Sequence, residues 1–259
     1  MQALHCGTRP SREPAVTNPT HEPLRWSDFA LDPMESRVIE RRQALLAAAR
    51  QAPVPDRIAY LRSLASGKRV LDLGVVDHTS RTDRSEWWLH GQLAEVAGEL
   101  LGIDIVADEI ELLKQKGFNV ACMDVTAGML PEGTWDLIVA GELVEHLGSP
   151  GGLFEAASAL LAEDGTFVLT SPNPYAPWRV YQNLRGRPYE NADHALLLSS
   201  WGITELAERS GLRLRSFRGI GARPVGWKAR CLDTAVQRRW LPFVPEATCE
   251  SLIYEIVRA

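Results

Sequence analysis

The chain has 259 residues, 45% of them apolar and 24% charged, a globular composition that excludes a collagen, a coiled coil and a disulfide mini-protein; the length suits one α/β domain with an added lobe. No apolar run approaches the roughly 18 residues of a membrane helix, and the opening MQALHCGTRPSREPAV has no hydrophobic centre, so a cytoplasmic protein without a membrane partner is expected. A net charge of −5 disfavours nucleic acid as a partner, and four scattered cysteines without a C-x-x-C pair read as free thiols.

The first 30 residues carry Pro10, Pro14, Pro19 and Pro23 without an apolar period, as a tail would. A helix is expected from Asp32-Pro33-Met34-Glu35, where Asp caps, Pro takes the first helical position and Glu follows three residues after the cap. Val38, Leu45 and Ala49 mark its apolar face, and Pro53-Val54-Pro55 ends it. A short helix over 56–65 follows. From Lys68 onward, short apolar runs alternate with helical segments, the pattern of a parallel sheet covered on both faces. Strands are expected at 69–73, 100–104, 119–123, 135–140, 166–171, 212–218 and 250–257, the last with no helix after it. The clearest helices are 107–116, closed by Gly117; 150–162, closed by Gly165; and 200–210, capped by Ser199 or Ser200 and closed by Gly211. Between Arg209 and Trp240 nine basic side chains stand against Asp233 alone, which is either a solvated face or a rim attracting an anionic acceptor.

In an open parallel sheet a ligand binds beyond the carboxyl ends of the strands, where strand order reverses. Strand one ends in Val70-Leu71-Asp72-Leu73-Gly74 and strand two in Gly102-Ile103-Asp104. The glycine lets backbone approach a ligand closely, and an acid at the tip of strand two can accept both hydroxyls of a ribose, so an adenosine-containing cofactor is indicated. Val75, Val76 and Asp77 replace the rest of a G-x-G-x-x-G loop, which suits a dinucleotide poorly. Tyr175 and Tyr181 are followed four residues on by Arg179 and Arg185, not by the lysine of a short-chain dehydrogenase. A nicotinamide-dependent sugar epimerase or reductase is therefore the weaker alternative.

Over roughly residues 66–259 the chain resembles the class I S-adenosylmethionine-dependent methyltransferases. The motifs that carry the resemblance are Val70 to Gly74, Asp104, Met123-Asp124, Trp135 through Leu147, Leu161 through Asn173, and the final strand at 250–257. The resemblance implies a Rossmann-like, doubly wound α/β fold: a mostly parallel seven-stranded sheet with an antiparallel C-terminal strand, preceded by an N-terminal helical extension. It divides the chain into a tail and helical lid, 1–66, and a methyltransferase domain, 67–259, in which 172–198 and 220–245 cover the acceptor. It assigns S-adenosylmethionine, with S-adenosylhomocysteine as product, to Asp72, Gly74, Asp77, Asp104, Ile105, Met123, Asp124, Val125 and Glu142. One departure stands out: Val76 occupies the place of the family's second glycine, and the stretch up to Asp104 is longer than usual. Either Asp77 faces the ammonium group of the cofactor, or His78 and His90 enter the site, or the stretch is a polar loop with His90 packed near Trp87 and Trp88.

On the acceptor side Glu142, Glu145 and His146 stand at i, i+3 and i+4, and would share a face if the segment were helical; Asn191-Ala192-Asp193-His194 supplies a second imidazole. Methyl transfer is an in-line displacement, so the protein must align the acceptor and, for a hydroxyl, take its proton. Glu145, His146 and His194 are the catalytic candidates. The Glu-x-x-Glu-His pattern is similar to that of small-RNA terminal 2′-O-methyltransferases, in which it holds a metal, and of ubiquinone-pathway O-methyltransferases. Glu142, Glu145, His146 and His194 are accordingly the metal candidates, although a metal-free histidine base is favoured. The expected reaction is O-methylation of a small molecule, a sugar or natural product, neutral or anionic, with homo-oligomerisation left open. Two further readings compete with it: an RNA 2′-O-methyltransferase, and a catalytically inactive methyltransferase-like binding protein.

Overall fold

The computed structural model describes residues 34–77, 87–188, 190–220 and 244–259. The expected tail, His78 and the basic residues from Arg223 to Arg239 lie outside them. Two helices, α1 (Ser36–Ala49) and α2 (Arg57–Ala65), precede the first strand. α1 begins at Ser36 with Glu35 as its cap residue, later than the expected Asp32 start. α2 is capped as its sequence indicates, the Asp56 carboxylate accepting from the Ala59 N–H at 3.0 Å.

The domain then runs β1 (Arg69–Leu73), α3 (Leu89–Ala94), β2 (Glu99–Asp104), α4 (Ala107–Gln115), β3 (Val120–Cys122), β4 (Trp135–Gly141), α5 (Gly151–Leu160), β5 (Leu161–Pro172), α6 (Pro177–Leu184), α7 (Ser200–Arg209), β6 (Leu212–Ile220) and β7 (Ser251–Arg258). The seven strands form one sheet in the order β3-β2-β1-β4-β5-β7-β6, in which β7 runs antiparallel to both its neighbours and the other pairings are parallel. Strand order reverses between β1 and β4, which places the ligand-binding crevice at their carboxyl ends.

The central strands are apolar on both faces because helices cover both. Leu71, Leu73, Ile138 and Phe167 pack against α5 and α7, while Val70, Leu137, Val139 and Val168 pack against Leu61 and Ala65 of α2 and Leu93 of α3. One boundary differs from the sequence reading. α5 stops at Leu160, and Gly165, expected to close it, lies within β5, where a Cβ would stand 2.9 Å from the Trp135 carbonyl oxygen. Gly165 thus marks a close strand approach, a role that leaves the same sequence signal as a helix cap.

α1 docks on the far edge of the domain. Its Arg42, fully buried, pairs with Glu205 at 2.7 Å and Glu208 at 2.9 Å on α7, and Arg50 pairs with Glu246 at 3.0 Å. α2 lies on the opposite face and delivers Arg57 to the end of β4. No helix among the described residues is long and apolar enough to cross a membrane.

Candidate active site

A cleft of about 1110 Å³ opens at the switch point. On its β1–β2 side Gly74 takes φ +79°, and a Cβ there would meet the Leu143 side chain at 3.0 Å, so only glycine lets the chain turn this closely around the crevice. Its N–H donates to the Ile103 carbonyl at 2.8 Å. Asp104 ends β2 with each carboxylate oxygen accepting one backbone N–H, Val76 on Oδ2 at 2.9 Å and Val106 on Oδ1 at 3.1 Å. Each oxygen keeps lone-pair capacity for a further donor, and the two loop amides fix the direction in which it is offered. Asp77 and the exposed Ile105 also line the cleft.

Asp72 lines the same cleft from a nearly buried position. Its carboxylate is 2% exposed and holds Nδ1 of His90 at 3.0 Å. His90 both lines the cleft and packs on Trp88, whose indole N–H donates to the Val75 carbonyl at 2.7 Å, so it joins two of the roles open to it in the sequence. Met123 packs against the main core and Val125 is buried in it. Asp124 spends Oδ1 on the N–H groups of Thr126 and Ala127 and on the Thr126 hydroxyl, at 2.9, 3.2 and 2.6 Å; these bonds, the hydroxyl's first, hold its carboxyl below the ordinary carboxylate range. Asp124 thus caps the short turn Val125–Ala127.

The acceptor side is built from a turn and not from the helix that i, i+3, i+4 spacing suggests. Glu142 has φ +56°, the one non-glycine residue at positive φ among those described, with its N–H on the Thr170 carbonyl and hydroxyl oxygens, both at 3.1 Å. Only Val144–His146 then form a single 3₁₀ turn. Glu142 faces Arg57 at 3.6 Å, whereas Glu145 turns inward. Glu145 is fully buried, and neither carboxylate oxygen has a hydrogen-bond partner among the described residues. Burial, reinforced by the neighbouring Glu142 charge, pushes its pKa up to about 8.

The main-chain carbonyl of Glu145 accepts from Ala195 N–H at 2.8 Å and Leu196 N–H at 3.2 Å. This strap brings the distant Asn191–His194 segment against His146. The two imidazoles meet edge to face, 4.9 Å between centroids. His146 Nδ1 lies 3.3 Å from Asp193; His194 Nδ1 lies 2.8 Å from Glu190, and its Nε2 lies 3.2 Å from the Asn191 amide nitrogen. Glu190 is itself held by Arg179, whose guanidinium keeps the carboxyl below its ordinary range. Glu145, His146 and His194 each present a ligand atom within 4.8 Å of the others.

Arg57, Arg179 and Glu190 line this cleft as well, and no sequence motif marks them. A lone Arg at a helix start and an Arg–Glu pair 11 residues apart have no pattern that separates them from surface charges. In its described part the basic stretch follows the solvated-face alternative: Arg209 pairs with Glu205, and Arg215 and Arg218 with Glu255, none of them lining the cleft.

Residues 41–216 match the family model of a methyltransferase domain. The chain belongs to this methyltransferase family. Two curated relatives are ubiquinone biosynthesis O-methyltransferases. That of Coxiella burnetii is 24% identical over 185 residues, 66% of this chain and 75% of its own, and that of Methylococcus capsulatus is 26% identical over 146 residues, 51% and 62% of the two chains. Among solved structures, an S-adenosylmethionine-dependent methyltransferase of Thermotoga maritima superposes with a TM-score of 0.55 at 10% identity, covering 86% of this chain and 96% of its own. The CcbJ methyltransferase of Streptomyces caelestis gives 0.51 at 18% identity, covering 80% and 91%. These two show the same fold. The protein is a class I S-adenosylmethionine-dependent methyltransferase, which sets aside the nicotinamide reading. The residues present fit the cofactor: Gly74, at a φ that favours glycine, keeps the turn tight at the crevice, and the oriented Asp104 carboxylate suits a ribose diol.

Proposed function

We propose that this methyltransferase methylates a hydroxyl oxygen of a small, polyhydroxylated molecule, a sugar or natural product. The observation that carries the reading is the pair of carboxylate-oriented imidazoles, His146 on Asp193 and His194 on Glu190, in the same cleft as Gly74 and Asp104. S-adenosylmethionine supplies the electrophilic methyl group when bound. Asp104 holds the ribose, Gly74 gives room to the loop around it, and Arg57 beside Glu142 suits the carboxylate of the methionine end. His146, its Nδ1 directed by Asp193, takes the hydroxyl proton at Nε2, and His194, whose two nitrogens are held by Glu190 and Asn191, packs edge to face on His146 and steadies its ring. The oxygen acceptor also agrees with the names of the curated relatives.

An anionic acceptor is disfavoured by the cleft itself, where Glu142, Glu190, Asp193 and Glu250 stand against Arg57 and Arg179. The same balance argues against a polynucleotide. A second reading has a specific observation behind it: the orphaned Glu145 carboxylate with the two imidazoles is a donor set for a divalent ion, which would acidify the hydroxyl directly. Turnover of a hydroxylated acceptor panel, with and without chelator, tests both readings. Activity unaffected by chelator and lost in His146→Ala supports the histidine base; activity lost in chelator, with calorimetric uptake of manganese or zinc that His194→Ala abolishes, supports the metal. Transfer to amines but to no hydroxyl overturns both.

A further inference from the structure

We propose that His90, beside the loop that carries Val76, receives the amino-acid end of S-adenosylmethionine. In that loop the Val76 N–H is turned onto Asp104 Oδ2 at 2.9 Å. The acid of the strand-one motif, Asp72, is nearly buried, lines the cleft beside His90 and holds the ring through Oδ2. The inference rests on the cofactor assignment made above.

The chain around His90 is shaped to hold the ring in place. Gly102, its neighbour on β2, admits the imidazole, since a Cβ there would stand 2.6 Å from His90 Cε1. Trp88 and Phe118 flank the ring, with centroids at 5.4 and 6.2 Å. The preceding residue, Leu89, covers Gly141, where a Cβ would meet Leu89 Cδ2 at 2.8 Å. The segment Leu89-His90 therefore crosses the carboxyl ends of β4, β1 and β2, the line along which a cofactor at the switch point must lie. His90 is only 1% exposed yet lines the cleft, so the ring is held at the cleft edge without freedom to turn away. A carboxylate accepts and never donates, so the tautomer that pairs with Asp72 carries its proton on Nδ1 and has its acceptor at Nε2. Of the two charged groups of the methionine moiety, the ammonium is the donor and matches it.

Calorimetry with two probes tests this: S-adenosylhomocysteine, and 5′-methylthioadenosine, which shares the nucleoside and sulfur but has no amino acid. His90→Ala is expected to weaken S-adenosylhomocysteine about 10-fold and methylthioadenosine by less than about 2-fold, as for loss of one hydrogen bond to a charged group. His90→Asn guards against misfolding, because its amide can keep the bond to Asp72 while lacking Nε2; the same selective loss is expected. Equal losses for both probes, no loss for either, or failure of both variants to fold would assign His90 to packing alone and overturn the proposal. Failure of the wild type to bind S-adenosylhomocysteine would break the cofactor assignment instead, a distinct result.

Discussion

The two halves of the cleft are made by different means. The cofactor half is backbone at strand ends: Gly74, Val76 and Val106 are tied through N–H groups to Ile103 and Asp104, so its geometry follows from the sheet register. The acceptor half is side chains drawn from the turn after β4 and the connection after β5, held to one another by ion pairs and one main-chain strap. A register is specified by a few adjacent residues and tolerates little change, whereas a constellation of side chains can be rewritten residue by residue. The cofactor half should therefore respond to substitution in affinity, and the acceptor half in rate and pH dependence.

The largest expected effect tests that division on the acceptor side. His146→Ala should lower turnover roughly 10²-fold, the usual cost of a missing general base, while S-adenosylhomocysteine affinity stays within about 2-fold in calorimetry. Equal losses in both would erase the boundary between the halves. Next comes Asp104→Ala, expected to weaken S-adenosylhomocysteine by about 30-fold, through lost charge-assisted hydrogen bonds and the release of two loop amides. Wild-type affinity in this variant would contradict the ribose assignment.

A smaller effect comes from Glu145 and is read in stability. Its folded-state pKa lies near 8 against an ordinary value of 4.5, so between these pH values the folded chain keeps a proton that the unfolded chain has released. Stability should fall as pH rises through that window, and Glu145→Gln should flatten the fall in denaturant titrations at about pH 5 and about pH 8. An unchanged slope would mean that Glu145 ionises without cost, as it would with a cation beside it. The smallest effect concerns charge at the mouth: with Arg209, Arg215 and Arg218 paired elsewhere, raising ionic strength should change the Michaelis constant of the acceptor by no more than about 2-fold. A larger rise would place the basic residues between Arg223 and Arg239 at the acceptor mouth.

Much of the fold is legible because strand runs and their closing residues obey local rules. Val70–Gly74 and Gly102–Asp104 announce β1, β2 and the crevice between them, and the unaccompanied 250–257 run announces β7. α3 and α6 are weakly marked, the first being only six residues long and the second, although Pro177 opens it, lying in a connection with no buried face. Glu145, His146 and His194 declare themselves by their chemistry, and the structure does gather them; the helical argument for gathering them fails, because the left-handed Glu142 breaks the period. Arg57 and Glu190 are invisible for a reason that applies to ion pairs in general: a pair distant in sequence is specified by the fold that brings it together, and neither member carries a local mark. The His90–Asp72 pair lies between these cases, since each residue draws attention alone and only the glycine at 102 hints that the ring fits between the strands.

The strap from Ala195 and Leu196 to the Glu145 carbonyl uses no side chain at either end. Every residue type except proline can donate those two N–H groups. The connection from 190 to 194 can therefore exchange its side chains, and with them the molecule it recognises, while its anchor stays at a fixed distance from the methyl-transfer centre. A lineage that inherits this attachment can acquire a new acceptor by changing a few neighbouring codons without having to refold the site.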